Sequence, residues 1–362
     1  MIWLPGREKG EKMGTLRRVV RKMEGYVPGE QPSAGTFIKL NTNENPYPPS
    51  SKVLEALRKE IKKGLNLYPD PLATTLRQTA ARVYGLGEEN VIVGNGSDDL
   101  LTIISRACVD SGDSVAMPAP TYTLYDTLVT LQEGVHHHFP FPPDYSLPAE
   151  IKSFPAKVTF LANPNSPSGT AISVTQVEEL ARALRGILVV DEAYVDFAEE
   201  TSLPLVARYP TLVVLRTLSK SFSLAGLRIG LGFAHPDLIR GFLKVKDSYN
   251  VNRLSLVAGC AALEDLPWML SNRDRIVKTR DRLSQGLNEL GYRVHTSRSN
   301  FVLAYRTGEC QEKIYQSLKE RGILVRHFDT PGLKDSLRIT VGSDSMMDRF
   351  LEEMRKIVKG LP

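Results

Sequence analysis

The chain has 362 residues, 42% of them apolar, which suits two domains with separate cores better than one or three. A formal net charge of +5, spread over 46 basic and 41 acidic residues without a dominant block, does not indicate a nucleic-acid-binding protein. The sequence contains no apolar run of the roughly 18 residues that a membrane span needs, and residues 1–14 are too polar for a signal peptide.

The cysteines favour a reducing compartment. Cys108, Cys260 and Cys310 are far apart, odd in number and form no Cys-x-x-Cys pair, which argues against a disulfide framework or a zinc knuckle. We therefore expect a cytoplasmic protein that is neither exported nor embedded in a membrane.

The chain begins with a segment of little periodicity. Residues 1–49 are rich in proline and asparagine, so we interpret them as an arm that lies over other structure or over a partner subunit.

Between residues 91 and 233, short β-branched apolar runs alternate with amphipathic segments such as 98–109 and 174–184. Runs that are apolar on both faces predict strands buried on both sides, and the segments between them carry apolar residues at helical spacing. This alternation predicts an α/β fold in which a large, mostly parallel sheet has helices on both faces. We assign residues 50–266 to this domain. The predicted strands cover 91–93, 114–117, 158–161, 187–190, 212–215 and 229–233.

The pattern changes beyond Pro267. A long amphipathic helix runs to Leu290, and short apolar runs then alternate with a helix near 312–321 and a final helix. This predicts a smaller α+β domain over residues 267–362.

In an open α/β sheet, ligands bind at the carboxyl ends of the strands, so residues that follow the apolar runs are candidates for chemistry. Residues 94–98 (GNGSD) follow the first run and open a helix whose amides suit a phosphate, although such a glycine turn is often only a turn. Asp191 follows the fourth run, where a buried carboxylate requires a cation or hydrogen-bond donors. Its alternative role is to cap a turn.

Lys220 lies in the loop after the fifth run, among hydroxyl and apolar side chains, and Arg228 follows eight positions later. A desolvated lysine near other cations has a lowered pKa, so its neutral amine is available to form an imine. Arg228, Ser219 and the amides of Gly96 and Ser97 would bind a phosphate, because a planar guanidinium takes two phosphate oxygens at once.

Three segments together resemble the fold-type I pyridoxal-phosphate aminotransferases: 191–194 (DEAY), 217–220 (TLSK) and 225–228 (AGLR). Their order, spacing and strand context all agree, and the resemblance covers nearly the whole chain from Gly25. Further segments resemble the histidinol-phosphate branch in class II of that family, namely 26–29 (YVPG), 40–46 (LNTNENP), 68–71 (YPDP) and 337–342 (LRITVG).

The resemblance implies roles for individual residues. Lys220 would form a Schiff base with pyridoxal 5′-phosphate and move the substrate's proton, while Asp191 would keep the pyridine nitrogen protonated so that the ring is an electron sink. Tyr194 would bond the ring's phenolic oxygen and Tyr122 would stack on its face. The cofactor phosphate would contact Gly96, Ser97, Asp98, Ser219 and Arg228, and also Tyr68 of a neighbouring subunit, which implies a homodimer. The substrate would contact Tyr26, Asn43, Glu44, Arg326 and Arg338.

One segment departs from the family pattern. The family usually reads N-P-x-N-P-T-G, whereas residues 163–169 read NPNSPSG, with Ser166 in place of the cofactor-contacting asparagine. Either Asn165 reaches the cofactor from one position earlier, or the Ser166 hydroxyl makes a shorter contact with a water.

The resemblance implies transfer of an amino group between L-glutamate and imidazole acetol phosphate in histidine biosynthesis, giving 2-oxoglutarate and L-histidinol phosphate. Arg326 and Arg338 suit a pocket that must accept both carboxylate and phosphate. Alternatives within the fold are a threonine-phosphate decarboxylase and an aromatic-amino-acid aminotransferase. A non-enzymatic, cofactor-bound regulator is the alternative from another class.

The run His136, His137 and His138 suggests a metal site. On a strand His136 and His138 would share one face, but two imidazoles without a third ligand at clear spacing make a poor site. We therefore expect an ordinary strand end and no metal.

Overall fold

The predicted apolar runs of the first half become strands of one seven-stranded sheet. The computed structural model of the protein describes residues 15–26, 29–31 and 37–360. Residues 1–14, and Val27 and Pro28 of the segment 26–29, lie outside the described residues.

The described strands, in chain order, are β1 Ile38–Lys39, β2 Val91–Gly94, β3 Ser114–Ala119, β4 Val135–Pro140, β5 Val158–Ala162, β6 Ile187–Asp191, β7 Leu212–Thr217, β8 Gly230–Ala234, β9 Arg293–Val294, β10 Phe301–Tyr305, β11 Ile323–Leu324, β12 Arg326–His327 and β13 Ser336–Thr340. The described α-helices are α1 Arg18–Lys22, α2 Ser51–Ile61, α3 Thr74–Tyr84, α4 Ser97–Cys108, α5 Leu124–Leu131, α6 Val174–Ala183, α7 Pro236–Val245, α8 Arg253–Leu263, α9 Leu266–Glu289, α10 Glu312–Glu320 and α11 Asp344–Lys359.

The large sheet has the strand order β2-β8-β7-β6-β5-β3-β4. Strands β7, β6, β5, β3 and β4 pair in parallel, and β8 runs antiparallel to both of its neighbours. This confirms the predicted α/β class with a mostly parallel sheet. The carboxyl ends of β2, β3, β5, β6 and β7 therefore meet at one edge, together with the loop that enters β8.

Alternate residues of the central strands pack into two separate apolar cores. Val189 and Val213 face a core that helices α4, α5 and α7 complete. Val190 and Val214 face the other core, which helices α3, α6 and α8 cover. Burial on both faces explains why these strands read as continuous apolar runs rather than as alternating ones.

The second half forms a four-stranded sheet in the order β12-β13-β10-β9, against which α9 and α11 pack. Helix α9 begins at Leu266 with Pro267 in its first turn, a position that tolerates proline because that amide has no helical partner. The assignment of residues 50–266 and 267–362 to two domains stays a prediction.

Within the described part of the N-terminal segment, strand β1 joins a sheet. It pairs in parallel with β11, and Leu40, directly after it, is fully buried in the core of the second half. This pairing fixes the start of the segment 41–45, which runs on towards the edge where the strands of the large sheet end. Among the described helices, none is long and apolar enough to cross a membrane.

Candidate active site

A cavity of about 250 Å³ lies at the carboxyl edge of the large sheet, where open α/β sheets bind ligands. Most of the predicted site residues line it, namely Tyr26, Asn43, Ser97, Asp98, Tyr122, Asp191, Tyr194, Ser219, Lys220, Arg228, Arg326 and Arg338. The fold therefore brings predicted site residues from both halves of the chain to one cavity.

The N-terminus of α4 and the guanidinium of Arg228 together form an anion cradle. Gly96, the N-cap residue, has a φ of +86°, and a Cβ there would lie 2.5 Å from Arg228 Nη2. Only glycine therefore lets the guanidinium approach the free amides at the helix end, where the helix dipole also favours an anion. Arg228 Nη1 donates to Ser219 Oγ at 3.4 Å, so the serine hydroxyl belongs to the same cradle.

Asp98 connects the cradle to an aromatic side chain. Its Oδ2 lies 3.0 Å from Arg228 Nη2, and its Oδ1 accepts a hydrogen bond of 3.2 Å from the Tyr122 hydroxyl. Asp98 therefore orients both side chains through its carboxylate, a role in addition to the phosphate contact that the resemblance implies.

Lys220 carries an amine of lowered basicity. Burial is the main cause and the charge of Arg338 the second, and together they lower the pKa of Lys220 to about 8. Its Nζ donates to the Thr42 carbonyl at 3.2 Å. A much larger fraction of this amine is neutral at pH 7 than of an exposed lysine, as a nucleophilic amine requires.

Asp191 ends β6 as a carboxylate that is only 5% exposed. Burial raises the pKa of Asp191 to about 6, and the hydrogen bond from Tyr125 partly opposes that rise. The Tyr125 hydroxyl donates to Asp191 Oδ2 at 2.9 Å, and the Ala193 amide donates to Oδ1 at 3.2 Å. Because a buried carboxylate is costly without a cation, this side of the cavity suits a positively charged group.

Tyr194 is fixed by a residue of the N-terminal segment. Asn43 Nδ2 donates to the Tyr194 hydroxyl oxygen at 2.9 Å, which leaves the phenol's own proton available for a ligand. Asn43 also accepts from Thr340 and takes a left-handed φ of +57°. The segment after β1 thus positions a phenol that follows strand β6 of the large sheet.

Arg326 and Arg338 are direct cross-strand partners on β12 and β13. Two like charges opposite one another on one sheet face repel, so an anion between them would be stabilising. Arg338 donates to the Asn41 carbonyl at 2.9 Å and to Ser166 Oγ at 3.2 Å, but its buried Nε has no hydrogen-bond partner. A carboxylate or phosphate would supply that partner.

The segment 163–169 places Ser166, not Asn165, on the cavity wall. The Asn165 amide donates to Ser168 Oγ at 2.9 Å and to the Pro120 carbonyl at 3.2 Å, and its oxygen accepts from Thr121. These bonds use the Asn165 side chain to hold two loops together. Of the two alternatives that the sequence left open, the geometry favours Ser166.

Besides Asn165, the predicted residues that do not line the cavity are Gly96, which precedes Ser97 in the cradle, Glu44 and Tyr68. Glu44 forms an ion pair of 2.7 Å with Lys39, and its negative charge partly opposes the lowering of the Lys220 pKa. Tyr68 is 80% exposed and stacks on Tyr249 with ring centroids 4.4 Å apart. Its hydroxyl contact with a cofactor therefore stays a prediction that requires a second subunit.

Sequence reasoning missed Tyr125 and Asn45. Tyr125 lies three positions after Tyr122, and this helical spacing was the available signal that both could face the sheet edge. Asn45 donates to the carbonyls of Lys220 and Ser221 at 2.9 and 3.1 Å, so it fixes the lysine loop. It lies in the segment 40–46 that carried the family resemblance, but the sequence alone gave it no role.

The geometry can be compared with known proteins. Residues 35–354 match the family model described as Aminotransferase class I and II, so the chain belongs to that family. Within the family, its relatives include histidinol-phosphate aminotransferases: one from Trichormus variabilis is 44% identical over 95% of this chain and 99% of that protein, and one from Citrifermentans bemidjiense is 44% identical over 96% and 100%.

A solved structure agrees with these relatives. The crystal structure of histidinol-phosphate aminotransferase from Sinorhizobium meliloti, in complex with pyridoxal-5′-phosphate, shares 25% identity with this chain at a TM-score of 0.88. The match covers 98% of this chain and 100% of the chain in that crystal structure. The comparisons confirm the fold and the family inferred from the sequence motifs.

Proposed function

We propose that the protein catalyses amino transfer between L-glutamate and imidazole acetol phosphate, giving 2-oxoglutarate and L-histidinol phosphate, with pyridoxal 5′-phosphate as cofactor. One observation carries the proposal: a single cavity is lined by Lys220, Asp191 and Arg228 and also by the cross-strand pair of Arg326 and Arg338. The relatives that are 44% identical over nearly the full length carry the name of this activity.

The donor set fits the cofactor at three points. The buried Asp191 carboxylate, whose pKa is raised to about 6, requires a cation such as a protonated pyridine nitrogen. The cradle of Gly96, Ser97 and Arg228 suits the phosphate, and the Lys220 amine suits the aldehyde. When bound, the cofactor supplies an electron-withdrawing ring that stabilises negative charge at the substrate's α-carbon.

The other residues around the cofactor orient it and move protons. Asn43 holds Tyr194 and Asp98 holds Tyr122. Tyr194 would donate to the ring's phenolic oxygen, and Tyr122 would pack against the ring. Lys220 Nζ would take the proton from the α-carbon of the amino substrate and deliver it to the C4′ carbon of the cofactor, and would move it back in the reverse direction. A pKa of about 8 suits this exchange because the amine is basic enough to accept the proton and acidic enough to release it.

We assign substrate selection to the second half of the chain together with the N-terminal segment. Arg326 and Arg338 bind the phosphate of histidinol phosphate in one half-reaction and a carboxylate of glutamate in the other, which a fork-shaped guanidinium accepts equally well. Tyr26, whose ring lies 5.8 Å from that of Tyr122, flanks the imidazole. Glu44 contributes its charge near this end of the site.

The active form is proposed to be a homodimer. Tyr68 and Tyr249 form an exposed aromatic pair that does not line the cavity, and Leu65, Leu67 and Leu72, nearby in sequence, are exposed as well. Burial of this surface against a second copy would bring Tyr68 to the partner's cofactor phosphate. The free cysteines suit a reducing compartment, and we place the enzyme in the cytoplasm.

Half-reaction spectroscopy under anaerobic conditions tests the proposal. The purified holoenzyme is mixed in separate samples with L-histidinol phosphate, L-phenylalanine and L-threonine phosphate, and the cofactor absorbance is followed. We expect conversion to the amine form of the cofactor with histidinol phosphate at the lowest concentration. Preferred conversion by phenylalanine would favour an aromatic aminotransferase, and release of carbon dioxide from threonine phosphate would favour a decarboxylase.

A further inference from the structure

Helix α5 and the edge strand β4 bring two histidines and a carboxylate together outside the active site. Asp126 Oδ1 lies 3.0 Å from His136 Nδ1 and 2.7 Å from His138 Nε2. One ligand atom from each residue lies within 4.8 Å of the others. Asp126 is the third ligand that the sequence did not reveal, because it lies ten positions before His136 and reaches the strand only through the packing of α5.

We propose that Asp126, His136 and His138 form a binding site for one divalent transition-metal ion of the zinc type. Two imidazole nitrogens and one carboxylate oxygen, with water in the fourth position, form a typical open zinc site. The side chains of Asp126, His136 and His138 are 44%, 26% and 45% exposed, so solvent reaches the position of the fourth ligand.

Two of the three ligand-atom spacings are close to what a tetrahedral ion requires, and all three atoms lie within 4.8 Å of one another. With metal–ligand bonds of about 2.0–2.1 Å, neighbouring ligands of a tetrahedral ion lie about 3.3 Å apart. The two nitrogen–oxygen distances of 3.0 and 2.7 Å therefore need to open by only about 0.3–0.6 Å, which side-chain rotation can supply.

The hydrogen bonding is compatible with an ion at this position. One carboxylate oxygen faces two ring nitrogens, so each of these contacts requires a proton on the nitrogen that faces it. A single divalent ion would take the place of both hydrogen bonds, because a neutral imidazole can carry its one proton on the ring nitrogen that faces away from the metal. Thr130 Oγ1 lies 3.0 Å from Nε2 of His136 and so holds the far side of that ring, as outer partners of metal-binding histidines do.

The neighbouring histidine provides a matched control. His137 points to the other face of β4, where its Nε2 lies 3.2 Å from Ser114 Oγ and its ring lies 4.4 Å from that of Phe154. It has the same sequence environment and chemistry but lies outside the cluster.

Zinc titration of the metal-stripped holoenzyme tests the site. Calorimetry with zinc chloride, combined with equilibrium dialysis, is expected to show one more bound ion per chain in the wild type than in His138→Ala. The zinc affinity of His136→Ala and of His138→Ala should fall by more than ~10- to 100-fold, which is the loss that follows removal of a residue that only hydrogen-bonds to a metal ligand. His137→Gln and Cys310→Ser, which removes an exposed thiol, should bind zinc as the wild type does.

A second variant separates metal binding from hydrogen bonding. His138→Gln can still donate a hydrogen bond to Asp126 but offers a poor zinc ligand, so we expect the same loss of zinc as in His138→Ala. The half-reaction of each variant verifies that it is folded, because none of these residues lines the active-site cavity. Absence of saturable zinc binding in the wild type, its retention in both His138 variants, or its loss in Cys310→Ser would overturn the proposal.

Discussion

Replacing Asp191 with asparagine should have opposite effects on the cofactor-free and the cofactor-bound protein. Burial raises the pKa of the Asp191 carboxyl from 3.8 to about 6, so the folded state holds its proton more tightly than the unfolded state does. The resulting stabilisation is present below pH 3.8 and is lost as the pH rises through about 6. A shift of about two units corresponds to about 3 kcal/mol.

Asparagine does not ionise, so Asp191→Asn removes this pH dependence. We therefore compare the free energies of unfolding of the cofactor-free variant and the cofactor-free wild type. The difference in favour of the variant should grow by about 3 kcal/mol from low pH to pH 8, and about half of this growth should occur between pH 5 and pH 8. Urea unfolding of both proteins at one protein concentration measures the difference. The bound cofactor should instead lose its cationic pairing, so the variant should retain it poorly and turn over slowly.

A constant difference between the two unfolding free energies from pH 5 to 8 would refute the argument that the buried carboxylate lacks a cation. Retention of the cofactor by Asp191→Asn as tightly as by the wild type would refute the pairing of Asp191 with the ring nitrogen.

Three further substitutions test other contacts. Tyr125→Phe removes the donor to Asp191, so the cofactor-free protein should lose about 1.5–3 kcal/mol of unfolding free energy at pH 8 and less at pH 5, and equal losses at both pH values would contradict this. Tyr68→Phe should weaken cofactor retention, measured by dialysis, by about 1.5–3 kcal/mol. The control variant Tyr249→Phe, which changes the ring that stacks on Tyr68, should retain the cofactor as the wild type does. Full retention by Tyr68→Phe would argue against a contact between subunits. Arg338→Lys keeps the charge but loses the fork, so steady-state kinetics should show a higher KM for glutamate and histidinol phosphate with an unchanged cofactor spectrum; unaltered KM values would remove Arg338 from the substrate site.

The central strands could be predicted because burial on both faces makes them continuous apolar runs. Strands β2, β5, β6 and β7 begin where the runs do, and the residues after them meet at the site because parallel strands end at one edge. The edge strand β4 gave a weaker signal, since all six of its residues are exposed or only partly buried and three of them are histidines.

Contacts between distant elements were beyond the sequence. The bond from Tyr125 to Asp191 spans 66 positions, and that from Asn43 to Tyr194 spans 151, so neither follows from local spacing. The choice between Asn165 and Ser166 depended on which of the two side chains hydrogen-bonds to Pro120 and Thr121, and Asn165 makes those bonds. The pairing of Arg326 with Arg338 required the register of two strands, one of them only two residues long.

The most direct test of the account identifies the lysine that carries the cofactor. Reduction of the yellow holoenzyme with borohydride, followed by proteolysis and mass spectrometry, locates the residue to which the cofactor is joined. We expect the label on the peptide that contains Lys220, and none in Lys220→Ala, which should also lose transamination. A label on another lysine, or an unlabelled chain, would contradict the assignment of the cavity at the carboxyl edge of the sheet.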